Sequence, residues 1–89
     1  MGTSAHGEAS HAEGKGSVTS EQGIGAHAEG LGTTAKNSGA HSEGVSTDAT
    51  NEASHAEGYD TTASGRAAHA EGSNTTASEA NSHAEGEWA

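Results

Sequence analysis

His55-Ala56-Glu57-Gly58-Tyr59-Asp60-Thr61-Thr62-Ala63-Ser64-Gly65-Arg66-Ala67-Ala68 is one complete period of this chain, and His69 opens the next. Its first four residues, His-(Ala/Ser)-Glu-Gly, recur six times, at 11–14, 27–30, 41–44, 55–58, 69–72 and 83–86. The first interval between these histidines is 16 residues and each of the four that follow is 14. A short fixed period of this kind marks a solenoid, in which every repeat is one coil stacked on its neighbours.

Each period divides into two short strands and two turns. The first strand runs from the residue before His through Glu, as in Ala68-His69-Ala70-Glu71, and the glycine that follows (Gly14, Gly30, Gly44, Gly58, Gly72 or Gly86) suits a turn that needs a positive φ. The second strand is Thr61-Thr62-Ala63-Ser64 and its equivalents, followed by Gly65 or by Asn37, Asn51 or Glu79 at the same place. Gly and Asn enter the left-handed region at low cost; Glu79 is the exception. A Gly or Asn every six to eight residues leaves no segment of the roughly 10–12 residues that a helix needs.

Side chains alternate across a strand, and both 14 and 16 are even, so the two faces can be assigned. One face of the first strand carries Ser10, Ala26, Ala40, Ser54, Ala68 and Ser82 together with Ala12, Ala28, Ser42, Ala56, Ala70 and Ala84. The second strand contributes Thr33 and Ala35, Thr47 and Ala49, Thr61 and Ala63, Thr75 and Ala77. These sets predict a roll so flat that only small side chains fit between its walls. The opposite face of the first strand is then all His and Glu.

The chain can be followed outward from this pattern. Thr3 and Ala5 precede His11 as Thr61 and Ala63 precede His69, so residues 2–10 are half a repeat. The spacer from Lys15 to Ala26 holds two extra residues, which should bulge one turn outward without changing strand parity. Residues 87–89 read as a junction or chain end. The whole of 1–89 is expected to be one repeat domain, and because it begins inside a repeat it reads as a segment of a longer fibre protein.

Composition sets the limits. The hydrophobic fraction is 28%, against about 45–50% in globular chains, so a layered apolar core is excluded. Low hydrophobicity with a net charge of −10 is also the composition of a disordered segment, yet such a segment has no reason to return His, Glu and Gly at a constant interval. The acidic balance leaves no electrostatic footprint for nucleic acid or anionic lipid. No cysteine is present, so neither disulfides nor thiolate metal sites contribute. No apolar run is long enough to insert in a membrane.

A small side chain buries about 40–60 Å² of apolar surface in such a roll, worth roughly 1–1.5 kcal/mol, comparable to the backbone entropy lost per residue. An isolated chain is therefore expected to be marginal. The His/Glu wall is its most uniform uncovered face, and the twelve residues His11, Glu13, His27, Glu29, His41, Glu43, His55, Glu57, His69, Glu71, His83 and Glu85 are the candidate interface with sister chains. Unpartnered buried carboxylates cost several kcal/mol each; the histidines two residues away offer donors, and in a trimer each Glu can also reach a neighbour's His, which predicts a ladder of inter-subunit Glu and His hydrogen bonds repeating at about 4.8 Å per coil.

The repeat resembles the YadA-like head repeats of trimeric autotransporter adhesins: Ser54-His55-Ala56-Glu57-Gly58 and Thr61-Thr62-Ala63-Ser64-Gly65 fall onto that 14-residue unit with the same length and parity. The likeness covers nearly the whole chain. It implies an all-β, left-handed parallel β-roll of about six coils, three chains of which form a homotrimer. The family's apolar Val and Ile positions at the trimer seam become His and Glu here, a substitution more similar to the His-Ala-Glu-Gly repeats of phage tail-spike or tail-fibre proteins and of Gram-positive surface proteins. The implied setting is extracellular, on a bacterial surface or a virion tail, with a host-cell or matrix ligand as the outside partner.

The resemblance implies a rigid spacer and display segment in adhesion or host attachment, and two further readings compete with it. His and Glu two apart on a strand face the same way, and three chains would present three imidazoles per layer, making His41, His55 and His69 the candidates for Zn²⁺ or Ni²⁺; otherwise no cofactor is expected. The outward residues Thr34, Asp48, Thr62 and Thr76, beside Lys36, Thr50, Ser64 and Ser78, resemble the threonine arrays of ice-binding solenoids, interrupted by Lys36 and Asp48. No copy stands out as a catalytic constellation, so no enzyme is expected.

Overall fold

The computed structural model describes residues 3–20 and 22–88, and it contains no helix among them. Twelve strands alternate between long and short. The two-residue strands β1 (Ser4–Ala5), β3 (Val18–Thr19), β5 (Thr34–Ala35), β7 (Asp48–Ala49), β9 (Thr62–Ala63) and β11 (Thr76–Ala77) form one parallel sheet, in chain order. The five-residue strands β2 (His11–Lys15), β4 (His27–Leu31), β6 (His41–Val45), β8 (His55–Tyr59), β10 (His69–Ser73) and β12 (His83–Glu87) form the other. The chain is a β-solenoid of about six turns.

Register is strict: His pairs with His, Ala with Ala or Ser, Glu with Glu and Gly with Gly from one long strand to the next. Coils are joined through the backbone. His41 N–H donates to the Ser54 carbonyl at 2.9 Å, Thr62 N–H to Thr75 at 2.9 Å and Asp60 N–H to Val45 at 2.8 Å. Parallel pairing of this kind satisfies the main chain without help from side chains.

The interior holds only small residues. Ala28, Ala35, Ala49, Ala56, Ala63 and Ala70 are fully buried between the walls, as are Thr33, Thr47, Thr61 and Thr75. The assignment of these residues to the inner face is therefore correct. The buried hydroxyls find partners on the spot: Thr61 Oγ1 donates to the Glu57 carbonyl at 3.2 Å, and Ser42 Oγ to the Thr47 carbonyl at 2.9 Å. No buried side-chain polar atom is left unpartnered among the described residues. The Cα framework is only 10 Å thick in its shortest dimension, which is what a core of Ala, Ser and Thr dictates.

The strands and turns differ from expectation in three places. Gly58 and its equivalents have positive φ, as expected, from +102° to +118°, but they lie inside the long strand, which continues one residue further to Tyr59. Their smallness answers a second demand as well: a β-carbon on Gly58 would lie 2.1 Å from the Gly72 carbonyl oxygen of the next coil. A second left-handed residue, which was not expected, stands two positions past that glycine, at Gly16, Gly32, Ser46, Asp60, Asn74 and Trp88, and the third is not at Asn37, Asn51 or Gly65 but two positions later, at Gly39, Ala53 and Ala67. Asn51 and Gly65 instead open four-residue turns closed by Ser54 N–H to Asn51 O (3.2 Å) and Ala68 N–H to Gly65 O (3.1 Å), and the third residue of such a turn is the one that needs φ > 0. Alanine there costs about 1–2 kcal/mol relative to the ordinary helical or extended regions.

The extra pair of residues falls between Ser20 and Gly23, where Gly23 N–H closes a turn onto the Ser20 carbonyl at 2.9 Å. The ladder holds on both sides: Ser20 N–H donates to the Ala35 carbonyl at 3.3 Å and Gly25 N–H to Glu8 at 2.9 Å. Glu21, Met1 and Gly2 lie outside the described residues. The half repeat before His11 is present as β1, paired with β3. Of the junction assigned to residues 87–89, Glu87 pairs with Ser73 as the end of β12 and Trp88 N–H donates to the Ser73 carbonyl at 2.8 Å; Ala89 is outside the described residues.

Candidate functional site

Because inward positions of the long strands are Ala or Ser, the His and Glu positions face outward, and strict register stacks them into two parallel columns. His11, His27, His41, His55, His69 and His83 form one continuous stack. Neighbouring ring centroids are 4.5–4.7 Å apart, and the rings of His41, His55 and His69 are parallel to within 3°. The seventh histidine, His6, lies outside the column; its N–H donates to the Thr19 carbonyl at 3.1 Å.

Each stacked imidazole meets the carboxylate two residues ahead of it in the same strand. Nε2 of His41 and His55 lies 2.6 Å from Oε1 of Glu43 and Glu57, His69 is 2.7 Å from Glu71, and His83 is 2.9 Å from Glu85. His11 pairs with Glu13 at 2.5 Å and His27 with Glu29 in the same way. The nearest partner of every wall carboxylate is thus its own chain's histidine, so no neighbour is needed to satisfy that oxygen. The central pairs are partly shielded by the coils above and below: the His55 side chain is 32% exposed, against 53–54% for the terminal His11 and His83.

A third column completes this face. Beyond Glu and Gly, the last residue of each long strand is Lys15, Leu31, Val45, Tyr59, Ser73 or Glu87, in register. Leu31, Val45 and Tyr59 are consecutive, and Leu31 and Tyr59 are about half exposed. This apolar strip was not singled out in the sequence, although three large apolar residues exactly one period apart would have located it. The outer face of the short sheet has no such continuity, since Asp48 stands between Thr34 and Thr62 in the ladder.

No family model, curated protein or solved structure matches this chain. What the site can do follows from its own geometry. No pocket opens among the described residues, so nothing encloses a small substrate. The surface offers instead regular columns of imidazole and carboxylate, repeated at the spacing of the coils, with an apolar strip beside three of them.

Proposed function

We propose that the chain is a structural module of a surface or tail fibre, a rigid spacer and display segment used in adhesion or host attachment, assembled as a homotrimer of left-handed rolls and with no catalytic role. The observation that carries this reading is the long sheet's outer face, where His and Glu columns run the length of the solenoid beside an apolar strip that spans three coils. A face of this regularity suits a partner with the same repeat, which a second copy of the chain supplies. The resemblance to YadA-like head repeats supports the trimer and the extracellular setting.

In this assembly the twelve His and Glu residues face sister chains as pairs already formed. Polar pairs at a seam weaken it relative to apolar packing but set register and chain number. The Leu31, Val45 and Tyr59 strip contributes the apolar burial, at roughly 25 cal/mol per Å² covered. Sedimentation equilibrium tests the proposal: the expected mass is three times the 8.7 kDa of the chain, and the joint substitution Leu31→Glu and Tyr59→Glu is expected to reduce it to one chain while the circular dichroism of the roll persists. A stable, folded monomer of the unaltered chain sinks it.

A further inference from the structure

We propose that the C-terminal end of the imidazole stack is a divalent-cation site, in which one Zn²⁺-class ion is held between adjacent coils by two histidines and the carboxylate paired to the first of them. The ligand atoms of His55, Glu57 and His69 all lie within 4.8 Å of one another, and so do those of His69, Glu71 and His83. Two imidazole nitrogens and one carboxylate oxygen are a donor set for Zn²⁺, Ni²⁺ or Cu²⁺, and three protein ligands leave a fourth position to water.

Binding breaks two hydrogen bonds, His55 to Glu57 and His69 to Glu71. Each ligating imidazole is neutral with its proton on Nδ1, the Nε2 proton having moved there or left to solvent, and turns the Nε2 lone pair to the metal; the Glu57 carboxylate exchanges its hydrogen bond for a metal bond, and the partly exposed Glu71 carboxylate turns to water. Nitrogens bound to one tetrahedral ion at about 2.0–2.1 Å sit about 3.4 Å apart. The two rings must therefore tilt out of their parallel stack and close by roughly 1 Å, a rotation of side chains only. His55 and His69 are about one third exposed, which leaves them room to turn, and the backbone ladder keeps their Cα atoms fixed in register.

Both sets use His69, so filling one excludes the other. The two sets together therefore hold one ion per chain, which avoids the crowding of dications that occupation of every coil would cause. All three ligands come from one chain, so the proposal does not rest on the trimer.

Calorimetric titration of the untagged chain with ZnCl₂ tests it. The expected result is EDTA-reversible binding of one ion per chain, weakened at least tenfold by His69→Ala and also by the paired, near-isosteric Glu57→Gln and Glu71→Gln, with no change for His6→Ala. Zinc X-ray absorption on the unaltered chain supplies a measurement independent of any variant's folding, and should show two imidazoles in the metal shell. The proposal is overturned by absence of binding at about 100 µM Zn²⁺, by a shell with fewer than two imidazoles, or by a Glu-to-Gln pair that binds as tightly as the unaltered chain.

Discussion

The outer face of the long sheet repeats His and Glu in all six coils, whereas that of the short sheet passes from Val18 through Thr34, Asp48 and Thr62 to Thr76. The inner faces of the two sheets do not differ in this way: both are Ala, Ser and Thr. Volume explains the inner faces, since a roll this thin admits nothing larger. It does not explain the outer ones, which are equally free of the opposing wall. The long sheet has side-chain order that the short one lacks, with each interior imidazole stacked on two others and paired to a carboxylate. A two-residue strand has one outward position per coil and cannot form an i, i+2 pair within itself.

Substitutions at matched places would sharpen or break this contrast. The largest effect is expected at Gly58→Ala in the long sheet, because the added carbon would overlap the Gly72 carbonyl, at 2.1 Å, on a backbone with φ of +109°. We expect a loss above about 4 kcal/mol, in the range of exceptional single substitutions, read as a melt far below that of the unaltered chain or as failure to fold. A normal melt would mean that the glycine column is not held as closely as described.

Next comes enlargement of the wall. Ala56→Leu, at a fully buried position, should cost about 1–3 kcal/mol by overpacking, while Thr62→Leu on the outward side of the short sheet should stay within about 0.5 kcal/mol. Denaturant titrations of the two variants measure the difference, and equal losses would contradict the assignment of faces.

The smallest effect concerns the outer columns themselves. His55→Ala removes one stacked ring and one partly exposed pair, and is expected to cost about 0.5–1 kcal/mol; Thr62→Ala should be nearly neutral. If the two melts coincide, the imidazole stack contributes nothing to the single chain, and its uniformity would then have to come from assembly or ligand binding.

Much of this was legible in the residues. The placement of Ala28, Ala56 and Thr61 inside, and of His55 and Glu57 outside, follows from alternation alone and is what the structure shows. The turn chemistry was misplaced because Asn51 and Gly65 carry the stronger local preference for positive φ, yet the inter-coil ladder puts the left-handed residue at Ala53 and Ala67. The histidine two residues away was legible as a donor for each carboxylate, beside a neighbour's histidine across the seam, but spacing shows only that His55 and Glu57 share a face and not that Nε2 reaches Oε1 at 2.6 Å.

The sequence alone determined the period, the parity and therefore which residues look into the roll, because an even repeat of alternating side chains has only two ways to face and only one set is small enough for the interior. Tertiary structure decided where each strand ends, which residue of each turn takes the strained conformation, and which partner each carboxylate meets. Those outcomes depend on the phase between one coil's hydrogen bonds and the next, a relation between backbones that lie 14 or 16 residues apart in the chain.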